Sequence, residues 1–256
     1  MKKYISKFYK EPIEVENIEW EIIVSVTDNN KNKIIYSIYD VIEKSSYSPY
    51  ISKCLLGSFI KKIPKNILII WFWAWAFGKY LEDYVSEVKI TWIEIDEVMI
   101  EIAKKEMWVK TSIFFNLDAL ESIDILTKKK NNKFDSILID IYDSNIEIPK
   151  YFEDLDFIKK IWFLLTTNWT ISINFSDFLG KNKKSYEKIH NNLITTLSKF
   201  YSHILSWTKE NWNISWIYNL DKNYSSEEIN LAYLEKVQNC EINYDSNLIK
   251  NTILSK

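Results

Sequence analysis

Glycine is almost missing from this chain: there are 3 in 256 residues, where average usage of about 7% would give roughly 18. Taken literally, that scarcity excludes the glycine-rich turns with which many α/β proteins cradle phosphates or nucleosides. Arginine is absent and the formal net charge is -2, so there is no overall basic footprint for nucleic acid. Lysines are dispersed apart from small clusters such as Lys128–Lys130 and Lys181–Lys184, which read as solvated loops. Only two cysteines occur, Cys54 and Cys240. They make no disulfide framework, and with His190 and His203 they make no metal-ligand spacing. The longest apolar run, Ile67 to Phe77, is too short to cross a bilayer, and the opening MKKYISKFYKEPIEVEN lacks the apolar core of a signal peptide. Serine-nucleophile and zinc-hydrolase motifs are missing. The expectation is a soluble cytoplasmic protein with no metal, no membrane association and no nucleic-acid partner.

Tryptophan, by contrast, is abundant, with 11 in the chain, and several stand where glycine is expected. Asn66 to Gly78 reads NILIIWFWAWAFG. Ile67 to Ile70 is of strand type, and the residues after Ile70 sit where a nucleotide-binding α/β protein turns tightly into its first helix. Read with glycine at Trp71, Trp73 and Trp75, the stretch becomes ILIIGFGAGAFG, a nucleoside-binding loop. Asn168-Trp169 and Asn211-Trp212 each precede a strand-like run, where Asn-Gly is the usual turn pair. Trp108 comes after the helical run Val98 to Met107, where a left-handed residue is usual. The composition, rich in Ile, Lys and Asn, fits an AT-rich gene. One reading is that the source translates UGA as glycine and that tryptophan has been written at those codons. The other is a protein with an unusually aromatic buried strand.

A 47% hydrophobic content in 30.7 kDa suits one α/β domain with an appendage, or two small domains. Residues 1–19 read as a loose polar arm. Glu21 to Thr27 and Lys33 to Asp40, separated by DNNKN, read as a hairpin, and Tyr50 to Ile60 as a lead-in helix. Strands and helices then alternate: strands at Ile67–Ile70, Val88–Ile95, Thr111–Phe115, Phe134–Ile141 and Thr170–Phe175, with helices at Phe77–Val85, Glu97–Met107, Leu120–Leu126, Tyr151–Leu165 and Ser185–Phe200. Tyr201–Trp207 and Asn213–Asn219 pair as an antiparallel finish. Ser225 to Glu228 is a capping box opening a helix at Ile229–Val237. We therefore expect an arm, hairpin and helix over 1–60, an α/β domain over 61–220 and a helical tail over 221–256. Such alternation implies a Rossmann-like, doubly wound, mostly parallel sheet, with ligands at the carboxyl ends of its strands.

Acids stand at those ends. Glu94 and Asp96 close the second core strand, about 20 residues past the loop, where an acid accepts hydrogen bonds from ribose hydroxyls. Asp118 comes after the third, placed to take a donor such as an adenine amino group. Asp140-Ile-Tyr-Asp143 comes after the fourth. Each alone reads more readily as a turn or cap residue; the set is what points to a site.

The stretch from about Asn66 to Asn174 resembles the class I fold that binds S-adenosylmethionine, and within it the spermidine synthase family. The resemblance rests on ILIIWFWAWAF, ITWIEIDEVMIEIAKKEM, FDSILIDIYDSNIEIPKYFEDLDFIKKI and LLTTNWTISIN, with the D-x-x-D before Ile148-Pro149 its most family-like part. It implies a seven-stranded sheet with an N-terminal hairpin extension, a donor that is S-adenosylmethionine or its decarboxylated form, a small-molecule amine or other acceptor, and a homodimer. Positions 71, 73 and 75 would line the donor's amino-acid or aminopropyl portion, Glu94 would bind ribose, and Asp118 would meet adenine. Asp140 would be the base that takes a proton from an attacking amine, and Asp143 would help hold that amine. Two departures weaken polyamine recognition. Ala74 stands where the family's loop carries an acid for the donor's free amine, and Pro49-Tyr-Ile-Ser52 replaces its Tyr-Gln-Glu or Tyr-His-Glu segment. Three functions stay open: aminopropyl transfer, methyl transfer, and a non-catalytic binding module on the same fold.

Overall fold

A computed structural model describes residues 1–27, 31–44, 58, 63–70, 75–85, 87–110, 112–129, 132–140, 149, 151, 154–176, 192, 195, 203–209, 212–218 and 252–255. The readings made for the 45–49 loop, the lead-in helix, the 185–200 helix and the capping-box helix at 229–237 lie outside these residues, apart from isolated positions.

The arm is not loose. β1 (Lys2–Tyr4) and β2 (Ile13–Ile18) join β3 (Glu21–Thr27) and β4 (Lys33–Asp40) in a four-stranded antiparallel sheet ordered β1-β2-β3-β4. The β3–β4 hairpin is the one the DNNKN turn announced. The arm is ordered because β2 alternates: Ile13 and Val15 are buried while Glu14 and Glu16 are not, and alternation with one buried face is what fixes a strand's register.

The main sheet is built on β5 (Asn66–Ile70), β6 (Lys89–Ile93), β7 (Ser112–Phe115), β8 (Phe134–Ile139) and β9 (Leu165–Ser176), with β10 (His203–Lys209), β11 (Trp212–Tyr218) and β12 (Thr252–Ser255) on one flank. Its order is β12-β10-β11-β9-β8-β5-β6-β7. Strands β7, β6, β5, β8 and β9 run parallel, while β9, β11, β10 and β12 pair antiparallel. Among the described residues the sheet thus has eight strands rather than the expected seven. The extra strand, β12, hydrogen-bonds along β10 from Ile204 to Trp207, covering an edge that would otherwise offer open backbone groups. The Asn168-Trp169 pair is not a turn ahead of a strand but lies inside β9. Between the partners Phe134↔Leu165 and Ser136↔Thr170 the register shifts, so the extra residues are taken up as a bulge.

Among the described residues four helices cover the sheet: α1 (Trp75–Tyr84), α2 (Glu97–Lys105), α3 (Ala119–Lys128) and α4 (Leu155–Phe163). Asp96, Asp118 and Asp154 cap the last three, each accepting a backbone N–H two residues on, the usual service of an N-cap acid. Apolar residues fill both faces of β5, as a central parallel strand requires. Ile67 and Ile69 face one core with Phe77, Leu81, Trp92 and Ile102, to which the N-terminal sheet adds Ile13, Val24 and Tyr39. Leu68 and Ile70 face the other with Ile123, Ile137, Phe157 and Ile161. The Tyr39 hydroxyl donates to Asp83 of α1, tying the small sheet to the large one. No described helix is long and apolar enough to cross a membrane.

Two glycine-related positions stand out. Gly78 in α1 lies against the fully buried Trp92 indole: a Cβ there would fall 1.8 Å from Cζ2. Trp108, just past α2, has φ 52°, the left-handed conformation that bulky residues rarely adopt. The turn is closed by the Val109 N–H donating to the Ala103 carbonyl at 3.1 Å.

Candidate functional site

Ile70, the last residue of β5, is in register with Ile93 of β6 and Ile139 of β8. The residues next along the chain from those partners are Glu94 and Asp140. The two acids therefore leave the sheet at the same level, on either side of the point where β5 ends. The Asp140 N–H donates to the Ile70 carbonyl at 3.1 Å, and the Glu94 N–H to the Phe115 carbonyl at 3.0 Å, so both backbones are held by their neighbouring strands.

Both side chains are buried, each about 1% exposed. Glu94 Oε1 accepts the Asp96 N–H at 2.7 Å, while Oε2 has no hydrogen-bond partner among the described residues. Burial pushes the Glu94 carboxyl well above its ordinary range, the Asp96 N–H pulls it partly back, and the nearby Asp96 charge raises it again. Asp140 is built alike. Its Oδ1 accepts from Asn174 Nδ2 at 2.9 Å, and its Oδ2 has no partner among the described residues. Burial lifts its pKa to about 7, with the Asn174 hydrogen bond acting the other way. A buried carboxyl oxygen without a partner is costly, and two of them at one level of the sheet suit hydroxyl or ammonium donors brought by a ligand.

Asp118 caps α3, its Oδ1 accepting the Leu120 N–H at 2.8 Å; it also raises the pKa of Tyr151, whose phenol is lifted mainly by burial. Trp71, Trp73 and Asp143 lie outside the described residues. Trp75 opens α1. Among the described residues, no group of three His, Cys, Asp or Glu is placed to hold a metal ion.

Sequence reasoning missed two supporting side chains. Asn174 was legible as a polar residue inside the apolar run ISINF. Asn116 donates through Nδ2 to the Glu94 and Ile95 carbonyls, both at 3.0 Å, and fixes the loop that carries Glu94.

No family model matches the chain. Two curated relatives are polyamine aminopropyltransferases of Prochlorococcus marinus. One, from strain MIT 9215, is 26% identical over 75% of this chain and 71% of that protein. The other, from strain MIT 9312, is 26% identical over 59% of this chain and 54% of that protein. The chain thus spans from about half to about seven tenths of the length of these relatives. Among solved structures, a probable spermidine synthase from Corynebacterium glutamicum superposes with a TM-score of 0.73 at 12% identity, covering 94% of this chain and 88% of that one. Human methyltransferase-like protein 13, solved in complex with SAH, gives 0.63 at 14% identity, over 79% and 98% of the two chains. A spermidine synthase with the transition-state analogue AdoDATO gives 0.53 at 14% identity, over 90% of each. The fold is therefore the class I methyltransferase fold, with acids at the strand ends where that architecture binds ligands. The sequence likeness is to polyamine aminopropyltransferases, and two of the superposed structures are spermidine synthases.

Proposed function

We propose that this protein binds a sulfonium donor of the S-adenosylmethionine type, in its decarboxylated form, and moves the aminopropyl group to a small polyamine-type amine. The observation that carries the reading is the pair of buried, half-satisfied carboxyl groups of Glu94 and Asp140 flanking the end of β5. Glu94 Oε2 would accept the ribose hydroxyls. Asp118 would meet the adenine, and positions 71, 73 and 75 would line the donor's amino-acid or aminopropyl portion.

An ammonium cannot attack carbon until it gives up a proton. A carboxyl group with a pKa of about 7 is poised to take that proton near neutrality. The freed nitrogen lone pair then attacks the propyl carbon next to sulfur. The C–S bond breaks, its electrons stay on sulfur as a neutral thioether, and the proton rests on Asp140. Asp143, by the family resemblance, would help hold the amine. Low-dielectric surroundings strengthen the attraction between these carboxylates and a cationic acceptor.

Titration of the protein carrying glycine at positions 71, 73 and 75 with both donors tests the reading. Tight binding of the decarboxylated donor, with 5′-methylthioadenosine released when a diamine is added, is the expected result. Preference for S-adenosylmethionine itself would move the assignment to methyl transfer. That second reading is favoured by Ala74, which stands where the family's loop carries an acid for the donor's free amine. Binding of neither donor would leave a non-catalytic module.

A further inference from the structure

The connection between β1 and β2 reaches the candidate site. Ser6, buried at 5% exposure, donates from Oγ to Asp96 Oδ2 at 2.5 Å and accepts the Phe8 N–H at 2.9 Å. Asp96 is itself buried and has a second task, since its Oδ1 accepts the Val98 N–H at 3.0 Å and caps α2. Its own backbone N–H is the donor that holds Glu94 Oε1. A chain of hydrogen bonds therefore runs from Ser6 through Asp96 to Glu94 and stops at the unpartnered Oε2.

We propose that Ser6 is a positioning residue for ribose recognition: by fixing the Asp96 carboxyl it fixes the peptide that holds Glu94 Oε1, and so aims Oε2 at the sugar hydroxyls. This rests on the reading of Glu94 as the ribose acceptor. The rest of the arm is placed for the same purpose. Lys2 Nζ and Tyr4 Oη both bond the Glu106 carboxylate at the far end of α2, at 2.8 and 2.5 Å, so β1 is anchored along the helix whose start Asp96 caps. Tyr9 packs on Tyr36 with ring centroids 5.9 Å apart. Its phenol is pushed well above the ordinary range by burial and then by Tyr36, Glu94 and Asp96, so it stays neutral. Partners that hold a metal-ligating side chain from behind matter by about 10- to 100-fold in affinity, and the lower end of that range is expected here.

The test uses the full chain with glycine at 71, 73 and 75, and two probes: 5′-methylthioadenosine, and its 2′,3′-dideoxy counterpart, which lacks the hydroxyls Glu94 would hold. Ser6→Ala should weaken binding of the first about tenfold and leave the second unchanged, while Ser6→Thr, which keeps the hydroxyl, restores the difference. Equal losses for both probes, or no loss for either, overturn the proposal. Glu94→Gln is the control for the underlying reading. If it fails to distinguish the probes, Glu94 is not the ribose acceptor and the Ser6 role falls with it. If it distinguishes them and Ser6→Ala does not, only the Ser6 role fails. Thermal melting of each variant separates a loss of fold from a loss of aim.

Discussion

Glu94 and Asp140 leave the sheet at one level, because Ile93 and Ile139 before them both pair with Ile70. A ligand lying across the end of β5 meets one acid on each side. Their environments then assign different work to two similar groups: Glu94 is held by a backbone N–H and Asp140 by an amide side chain.

Asp140→Asn removes the proposed base while keeping shape and the Asn174 contact. Turnover should fall by about 10²- to 10⁴-fold with donor affinity little changed. With Asp140 intact and glycine at 71, 73 and 75, the rate should rise with pH through about 7, since only the ionised carboxylate can take the proton. Stability should move the other way. The folded pKa lies above the unfolded carboxyl value, so the native state binds more protons between the two, and stability falls as pH rises across that window. Asp140→Asn should therefore be more stable than the parent at pH 8, by on the order of a few kcal/mol, and show little gain at pH 4. A stability difference that does not depend on pH would contradict this.

Glu94→Gln should weaken binding of an adenosine ligand by roughly tenfold or more, as loss of a charge-assisted hydrogen-bond acceptor does. Because burial favours the protonated form of Glu94 and ribose hydroxyls favour the ionised one, binding should release a proton. Affinity in the parent should rise with pH, and calorimetry in buffers of different ionisation heat should register the release. The variant should register less.

The parallel core was readable because its strands are short apolar runs separated by helices; Asp96 and Asp118, read from the sequence as strand-end acids with a cap as the alternative, cap α2 and α3. The arm was not readable. KKY and IEVENI carry mixed polarity, and what orders them is pairing plus contacts far along the chain: Ser6 and Asp96 are 90 residues apart. The pKa of Asp140 was hidden for a similar reason, since it arises from packing around the strand end rather than from the acid's neighbours in sequence. The eighth strand lay in a polar tail with no strand pattern beyond TILS.

Gly78→Ala tests the packing of α1 on β6. Its Cβ would fall 1.8 Å from the rigid Trp92 ring, so either the helix or the indole must shift, at a cost of about 1–3 kcal/mol. In a Trp92→Gly background the penalty should vanish, giving a strong coupling in a double-mutant cycle. Additive effects would mean that the two residues do not touch.

Trp108→Gly should stabilise the fold. The residue holds φ 52° and its side chain is half exposed, so the change relieves about 1 kcal/mol of backbone strain and loses little packing. A denaturant midpoint shifted upward with unchanged slope would bear this out, and a downward shift would show that the indole contributes more than the strain costs.

Changes at 71, 73 and 75 bear on ligand binding instead. An indole buries about 150–250 Å² and would compete for the space a nucleoside needs. The chain with tryptophan at these positions should fail to bind either donor, and glycine at all three should restore binding. Intact tryptophans in a mass spectrum of the protein from its own source would end the reading of those codons as glycine.

The strand Thr252–Ser255 seals one flank of the large sheet by lying along β10. Clipping the last handful of residues would leave the His203–Lys209 ladder facing water, a template onto which a second molecule can add its own strand. A protein trimmed there for convenience should form concentration-dependent aggregates that the longer chain resists, with the strand ends that carry Glu94 and Asp140 untouched.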